Sequence, residues 1–138
     1  MTVIGFNFNK ILVERKSSKA GKLTISNNVG INDVSEANVP FSGDKAKAIK
    51  FDFTFDSKYE PDIAIITLSG DLLYMFPQET AEKVLSEWKE KKRLSQDVVT
   101  AVMNTVLNRC NIEALILSRE LNLPSPIPLP KVNVEQKK

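Results

Sequence analysis

Few side chains in this chain could do chemistry, and their spacing argues against most of it. Asp52 and Asp56 lie four residues apart on one alternating segment with Lys50, and Asp71 falls in the next. Carboxylate chemistry needs two acids whose surroundings pull their pKa values apart. Each of these acids instead occupies the polar side of an alternating strand, where solvation alone accounts for it. Cys110, the only cysteine, would be a nucleophile only as a thiolate. It falls on the apolar stripe of a helix, which predicts a buried, inert thiol. Trp88 and Met103 also have core positions. With no histidine, no glycine-rich phosphate loop, no nucleophile elbow and no cluster of metal-type ligands, acid–base, nucleophilic and metal catalysis all lack their usual parts. The sequence reads as a non-enzyme with no catalytic residue, cofactor or metal.

The elements that would position these residues follow from periodicity. Ile49, Phe51, Phe53 and Phe55 alternate with Lys50, Asp52, Thr54 and Asp56, which predicts a strand with one wet face. Leu23, Ile25, Val29 and Ile31 share that alternation, with Asn27 on the buried side as a candidate bulge. In the first segment Phe6, Phe8 and Leu12 lie on one face and Ile11 and Val13 on the other. That pattern fits a strand covered on both sides in its second half, or one that twists through a bulge. A fourth strand, 63–74, follows a turn signal over 56–62 and places Ile66, Leu68, Gly70, Leu72 and Tyr74 together, with a kink expected at Gly70-Asp71. Residues 35–47 read as a loop.

Two helices supply cover. Residues 78–93 put Ala81, Val84, Leu85 and Trp88 on one stripe, with acids early and bases late as the helix dipole prefers. Ser95 is placed to cap a second helix over 96–121, whose stripe is Val99, Val102, Met103, Val106, Cys110, Ala114, Leu117 and Leu121. A smaller apolar group, Val98, Ala101, Ile112, Leu115 and Ile116, lies outside that stripe. A helix greasy on two sides is buried on two sides, so these five residues are the candidate oligomer interface. The fold expected is α+β: a four-stranded antiparallel sheet covered on one face by a long helix. Residues 1–130 form one domain and 131–138 a polar tail.

After the long helix comes Asn122-Leu123-Pro124-Ser125-Pro126-Ile127-Pro128-Leu129-Pro130. Four prolines in seven residues fix φ and remove backbone donors, so this arm should lie extended against a surface. Composition adds little: 138 residues, 17 acids against 19 bases and a net charge of +2 suit one ordinary globular domain. No basic start precedes an apolar stretch and no run approaches a membrane span, so a cytoplasmic protein that is not itself exported is expected, without membrane insertion. A single cysteine fits a reducing compartment.

Phe6-Asn7-Phe8-Asn9-Lys10-Ile11 resembles the opening strand of the SecB family of protein-export chaperones, in which large apolar and amide residues alternate before a basic one. Ser69-Gly70-Asp71-Leu72-Leu73-Tyr74 is similar to the Gly-containing end of the family's fourth strand. Leu121 to Leu129 resembles its apolar, Pro-containing arm after the long helix. The resemblance implies a tetramer built as a dimer of dimers, with long helices sandwiched between sheets. It further implies ATP-independent holding of unfolded or export-bound polypeptide in apolar grooves, with a translocation component as a further partner. By position the groove candidates are Leu72, Tyr74, Phe76 and Trp88, with Leu123, Pro124, Pro126 and Ile127 from the arm.

Two departures stand out. The chain reads as a short form lacking the family's C-terminal helix, and no acidic strand face for a translocation motor is evident, since Asp52 and Asp56 alternate with Lys50. Such a fold could serve general holding or a toxin–antitoxin partnership. A second reading, from a different class, is a ribosome-associated or RNA-contacting structural protein using Lys16, Lys19 and Lys22 around the first hairpin and the Lys137-Lys138 tail as phosphate contacts.

Overall fold

A computed structural model describes residues 2–17, 22–37 and 46–127. Strands β1 (Thr2–Arg15), β2 (Thr24–Ala37), β3 (Ala46–Glu60) and β4 (Ala64–Pro77) precede helices α1 (Gln78–Lys91) and α2 (Gln96–Glu120). The strands form one antiparallel sheet in the order β1-β4-β3-β2, which leaves β1 and β2 as edges. The α+β class holds, with both helices sharing the cover of one sheet face. The end of β2 and start of β3 shorten the expected 35–47 loop, whose remainder at 38–45 lies outside the described residues. The 56–62 turn likewise tightens to three residues, because β3 continues to Glu60 and Ile63 N–H closes on Tyr59 O at 2.9 Å.

Side chains alternate across the sheet as the pleat requires. From β3, Ile49, Phe51, Phe53, Phe55, Ser57 and Tyr59 are all at most 1% exposed, opposite Tyr74, Leu72, Gly70, Leu68, Ile66 and Ala64 of β4. Two aromatic groups tie the strands together. Phe6, Phe8 and Phe53 meet with ring centroids 5.1 to 6.1 Å apart. Phe51, Tyr74 and Phe76 do so at 5.9 to 6.2 Å. These spacings are those of edge-on and offset ring pairs.

The kink expected at Gly70 belongs to the neighbouring strand. β4 keeps unbroken register with β3 through Gly70, while β1 slips between Phe8 and Lys10, directly opposite. A Cβ on Gly70 would lie 2.0 Å from Asn7 O, so glycine admits the bulged backbone of β1. The bulge also resolves the mixed pattern of β1. It returns Ile11 and Val13 to the covered face with Phe6 and Phe8 and turns Leu12 to the outer one.

α2 is about 38 Å long at 1.5 Å per residue. Its buried row is Val98, Val102, Val106, Cys110, Ala114 and Ser118, an i, i+4 ridge that winds slowly around the helix. Val98 thus replaces Val99 in the core. Ser118 is accommodated because its hydroxyl donates to Leu115 O at 2.8 Å. Ser95 is the N-cap residue, as expected, but its hydroxyl makes no capping bond.

Candidate functional site

The chemically capable side chains do not converge. Cys110 is fully buried, and burial pushes its thiol up to about 12. A thiol with that pKa holds almost no thiolate near neutral pH. Asp52 and Asp71 are cross-strand partners on the outer face, and Asp33 of β2 pairs with Asp52 from the other side. This row of three aspartates was hidden in the sequence, because Asp33 reaches that position only through the bulge between Ile31 and Asp33. Partial burial holds the Asp52 carboxyl above its usual range, Lys50 works against that rise, and Asp71 and Asp33 add to it. Among the described residues no group of acids, histidines or cysteines could hold a metal ion.

The proline arm packs across one end of the covered face. Asn122 takes a left-handed turn with φ 53°, and Leu123 N–H then donates to Ser118 O at 2.8 Å. Leu123 is 8% exposed and Pro126 is buried, while Pro124 is exposed and Ile127 half-buried. The arm's carbonyls are taken by side chains. Tyr59 Oη–H donates to Pro124 O at 2.5 Å and Asn27 Nδ2 to Pro126 O at 2.9 Å. Ser57 Oγ, fully buried, donates to Asn27 Oδ1 at 2.6 Å, and Arg15 donates to Leu121 O at 2.8 Å. Burial pushes the Tyr59 phenol up to about 12, so it stays a donor. Asn27 therefore marks no bulge; an amide is needed there because prolines present acceptors without donors. Pro128 and the rest of the arm lie outside the described residues, as do Lys19, the 131–138 tail and its Lys137-Lys138 pair.

A second feature runs along the seam between β1 and α2. The Arg109 guanidinium lies 4.6 Å from the Phe6 ring, and Arg15 at the far end of β1 reaches the end of α2. Ile112 and Ile116, at i+3 and i+7 from Arg109, fall between these anchors, as do Phe8 and Ile11 on β1. Ile11 is 48% exposed, Ile112 53% and Ile116 49%, so the seam is apolar and open.

A third feature is a cavity of about 320 Å³ between β2 and the α1–α2 corner, floored by Ile31, Trp88, Leu94, Val99 and Met103. Lys92 and Arg93 stand at its rim, with Lys92 Nζ 5.4 Å from the centre of the Trp88 ring system. The Trp88 Nε1–H is buried and has no hydrogen-bond partner.

Among the predicted groove residues, Leu72, Tyr74 and Phe76 lie beneath the helices at 0, 3 and 2% exposure, and Tyr74 Oη–H donates to Ala101 O at 3.0 Å. With the helices seated they offer a ligand no surface. Trp88 and the arm residues are separate, one at the α1 corner and the others at the opposite end of β3. Of the predicted interface, Val98 is already buried within the chain, Ala101 and Leu115 are half-buried, and Ile112 and Ile116 are open. Lys16 pairs with Asp62 at 3.2 Å on the surface, and Lys22 is exposed. The sequence reading missed the seam on β1, because Ile11 was phased away from Phe8 until the bulge at Asn9 was known.

The sheet and its one-sided helical cover define an α+β protein. No protein-family model matches the sequence, and no curated protein is similar to it. Among solved structures the chain is similar to a SecB-like chaperone of Mycobacterium tuberculosis, Rv1957, in complex with a ChAD peptide from the Rv1956 HigA1 antitoxin. The similarity has a TM-score of 0.49 at 13% identity and covers 96% of this chain and 90% of that one. Among the described residues no helix is long and apolar enough to cross a membrane.

Proposed function

We propose that the protein is an ATP-independent, holdase-type chaperone that keeps polypeptide segments unfolded against apolar surface. The observation that carries this reading is the open seam: three isoleucines about half exposed, two on α2 and one on β1, beside the half-buried rings of Phe6 and Phe8. Open apolar surface of this kind works by contact, and burial from water is non-directional, so it tolerates many sequences. The resemblance of 6–11 and 121–129 to SecB-family segments supports the same reading.

Of that apolar surface, Ile112 and Ile116 are assigned, with Ala101 and Leu115, to contacts between copies in a dimer of dimers, which leaves Phe6, Phe8 and Ile11, together with Trp88 and the outer arm residues Pro124 and Ile127, for client contact. Export-bound chains and a translocation component are the partners of this cytoplasmic protein. The test is suppression of aggregation of a chemically unfolded client, without nucleotide, at near-stoichiometric amounts. Protection well beyond that of an inert control is expected, with light scattering giving four times the chain mass. Protection no better than the control removes the chaperone reading, and a clean monomer removes the interface assignment.

A further inference from the structure

The cavity at the α1–α2 corner has a chemistry of its own. Its floor is apolar, and at about 320 Å³ it stands at the small end of ligand pockets, which begin near about 300 Å³. That is room for one or two large side chains. The Trp88 ring forms part of that floor, with its Nε1–H buried out of a ligand's reach.

The rim is cationic. Residues 89–93 read Lys89-Glu90-Lys91-Lys92-Arg93, four bases and one acid. None of the four bases forms an ion pair within 4.0 Å among the described residues. Lys92 caps α1 in the left-handed conformation, which turns the chain so that Lys92, Arg93 and Leu94 all border the same cavity.

Apolar floor and positive rim together select one kind of occupant. We infer that this cavity is a client-reading pocket for an extended polypeptide segment that carries a bulky apolar side chain flanked by acidic residues. The apolar side chain fills the floor against the Trp88 ring, and the flanking carboxylates face Lys92 and Arg93. This rests on the polypeptide-holding function, and adds to it a preference for acidic over basic flanks. Apolar contact alone would give no such preference, whereas charge complementarity at a rim discriminates between partners.

Trp88 is the only tryptophan, so its emission reports on this pocket and nowhere else. The full-length protein is titrated with a blocked acetyl-Glu-Leu-Phe-Leu-Glu-amide peptide at low salt. A second peptide replaces Glu by Lys, a third replaces the apolar residues by Ser, and decanoate serves as a non-peptide chain with a carboxylate. A saturable shift in Trp88 emission is expected with the first peptide. The Lys version should bind about fivefold more weakly, as expected for losing two exposed charge contacts, and the Ser version should give no shift. Combining Lys92→Glu with Arg93→Glu, both at exposed positions, should invert the preference.

A silent Trp88, equal response to both charged peptides, or response to decanoate but to neither apolar peptide overturns the inference. Aggregation suppression measured on the same preparation separates the two claims. Suppression with a silent Trp88 leaves the chaperone standing without this pocket. A charge-selective Trp88 response without suppression leaves the peptide site and removes the chaperone.

Discussion

Where the arm crosses β2 and β3, the carbonyls of Pro124 and Pro126 each meet a side-chain donor, from Tyr59 and Asn27. Beside α1, the Trp88 N–H meets nothing. The arm's end of the covered face is thus matched group for group, and the α1 side leaves a buried donor unmatched. At the matched end a polar group is costly to remove where its loss strands a buried partner, as at Ser57. The difference separates a segment that closes the fold from a cavity free to bind.

The largest effect should come from Asn27→Ala. It removes the donor to Pro126 O and leaves the buried Ser57 hydroxyl without its acceptor, so a loss of about 2 kcal/mol in unfolding free energy is expected. Denaturant midpoints at unchanged slope would measure it. A loss below about 0.5 kcal/mol, the low end for a single hydrogen bond, would mean that the arm is held by apolar contact alone and that the comparison fails on its matched side.

Asn27 also shows what could be read from the chain and what could not. Alternation located all four strands and the faces of β3 and β4, because large apolar residues recur there at nearly every second position, with Ser57 and Gly70 as the breaks. The same alternation placed Asn27 inside, but nothing local could say that prolines a hundred residues later would need its amide. β1 failed for a related reason: one extra residue at Asn9 reverses every later side chain, and the bulge is dictated by Gly70 on another strand. On α2 the expected stripe held from Val102 on, with Leu117 and Leu121 half-buried against the core, and missed at its start, where Val98 takes the place of Val99, since a row at i, i+4 drifts around a helix of 3.6 residues per turn. Leu72 and Tyr74 were placed on the correct face, but sequence could not show that the helices cover them completely.

Tyr59→Phe should cost less, about 1 kcal/mol, because Pro124 is exposed and its carbonyl can turn to water. Its counterpart is Trp88→Phe at the mismatched end. Lost contact area and relief of the unpaired donor oppose one another there, so stability should change by no more than about 0.5 kcal/mol. A loss from Trp88→Phe equal to that from Tyr59→Phe would show that the indole N–H has an acceptor after all, and the contrast between the two ends would be gone.

Asp52→Asn supplies the smallest effect, of opposite sign, and tells a charge mismatch from a hydrogen-bond mismatch. Asp52 lies between Asp33 and Asp71 on the outer face, and its carboxyl is raised first by burial, with Lys50 opposing and the two aspartates adding. A raised pKa means that the folded protein holds this proton more tightly than the unfolded chain does. Its stabilising contribution is therefore complete below the unfolded value and is lost as pH rises through the folded one. At neutral pH the ionised carboxylate is a liability, so Asp52→Asn should stabilise by a few tenths of a kcal/mol, kept small by solvent screening at a side chain that is 35% exposed. Below the ordinary carboxylate range the gain should vanish. Tyr59→Phe and Trp88→Phe should show no such pH dependence between acid and neutral conditions, because neither phenol nor indole ionises there. A flat difference for Asp52→Asn across that window would mean that Lys50 has already cancelled the aspartate row, leaving the two ends of the covered face as the molecule's principal contrast.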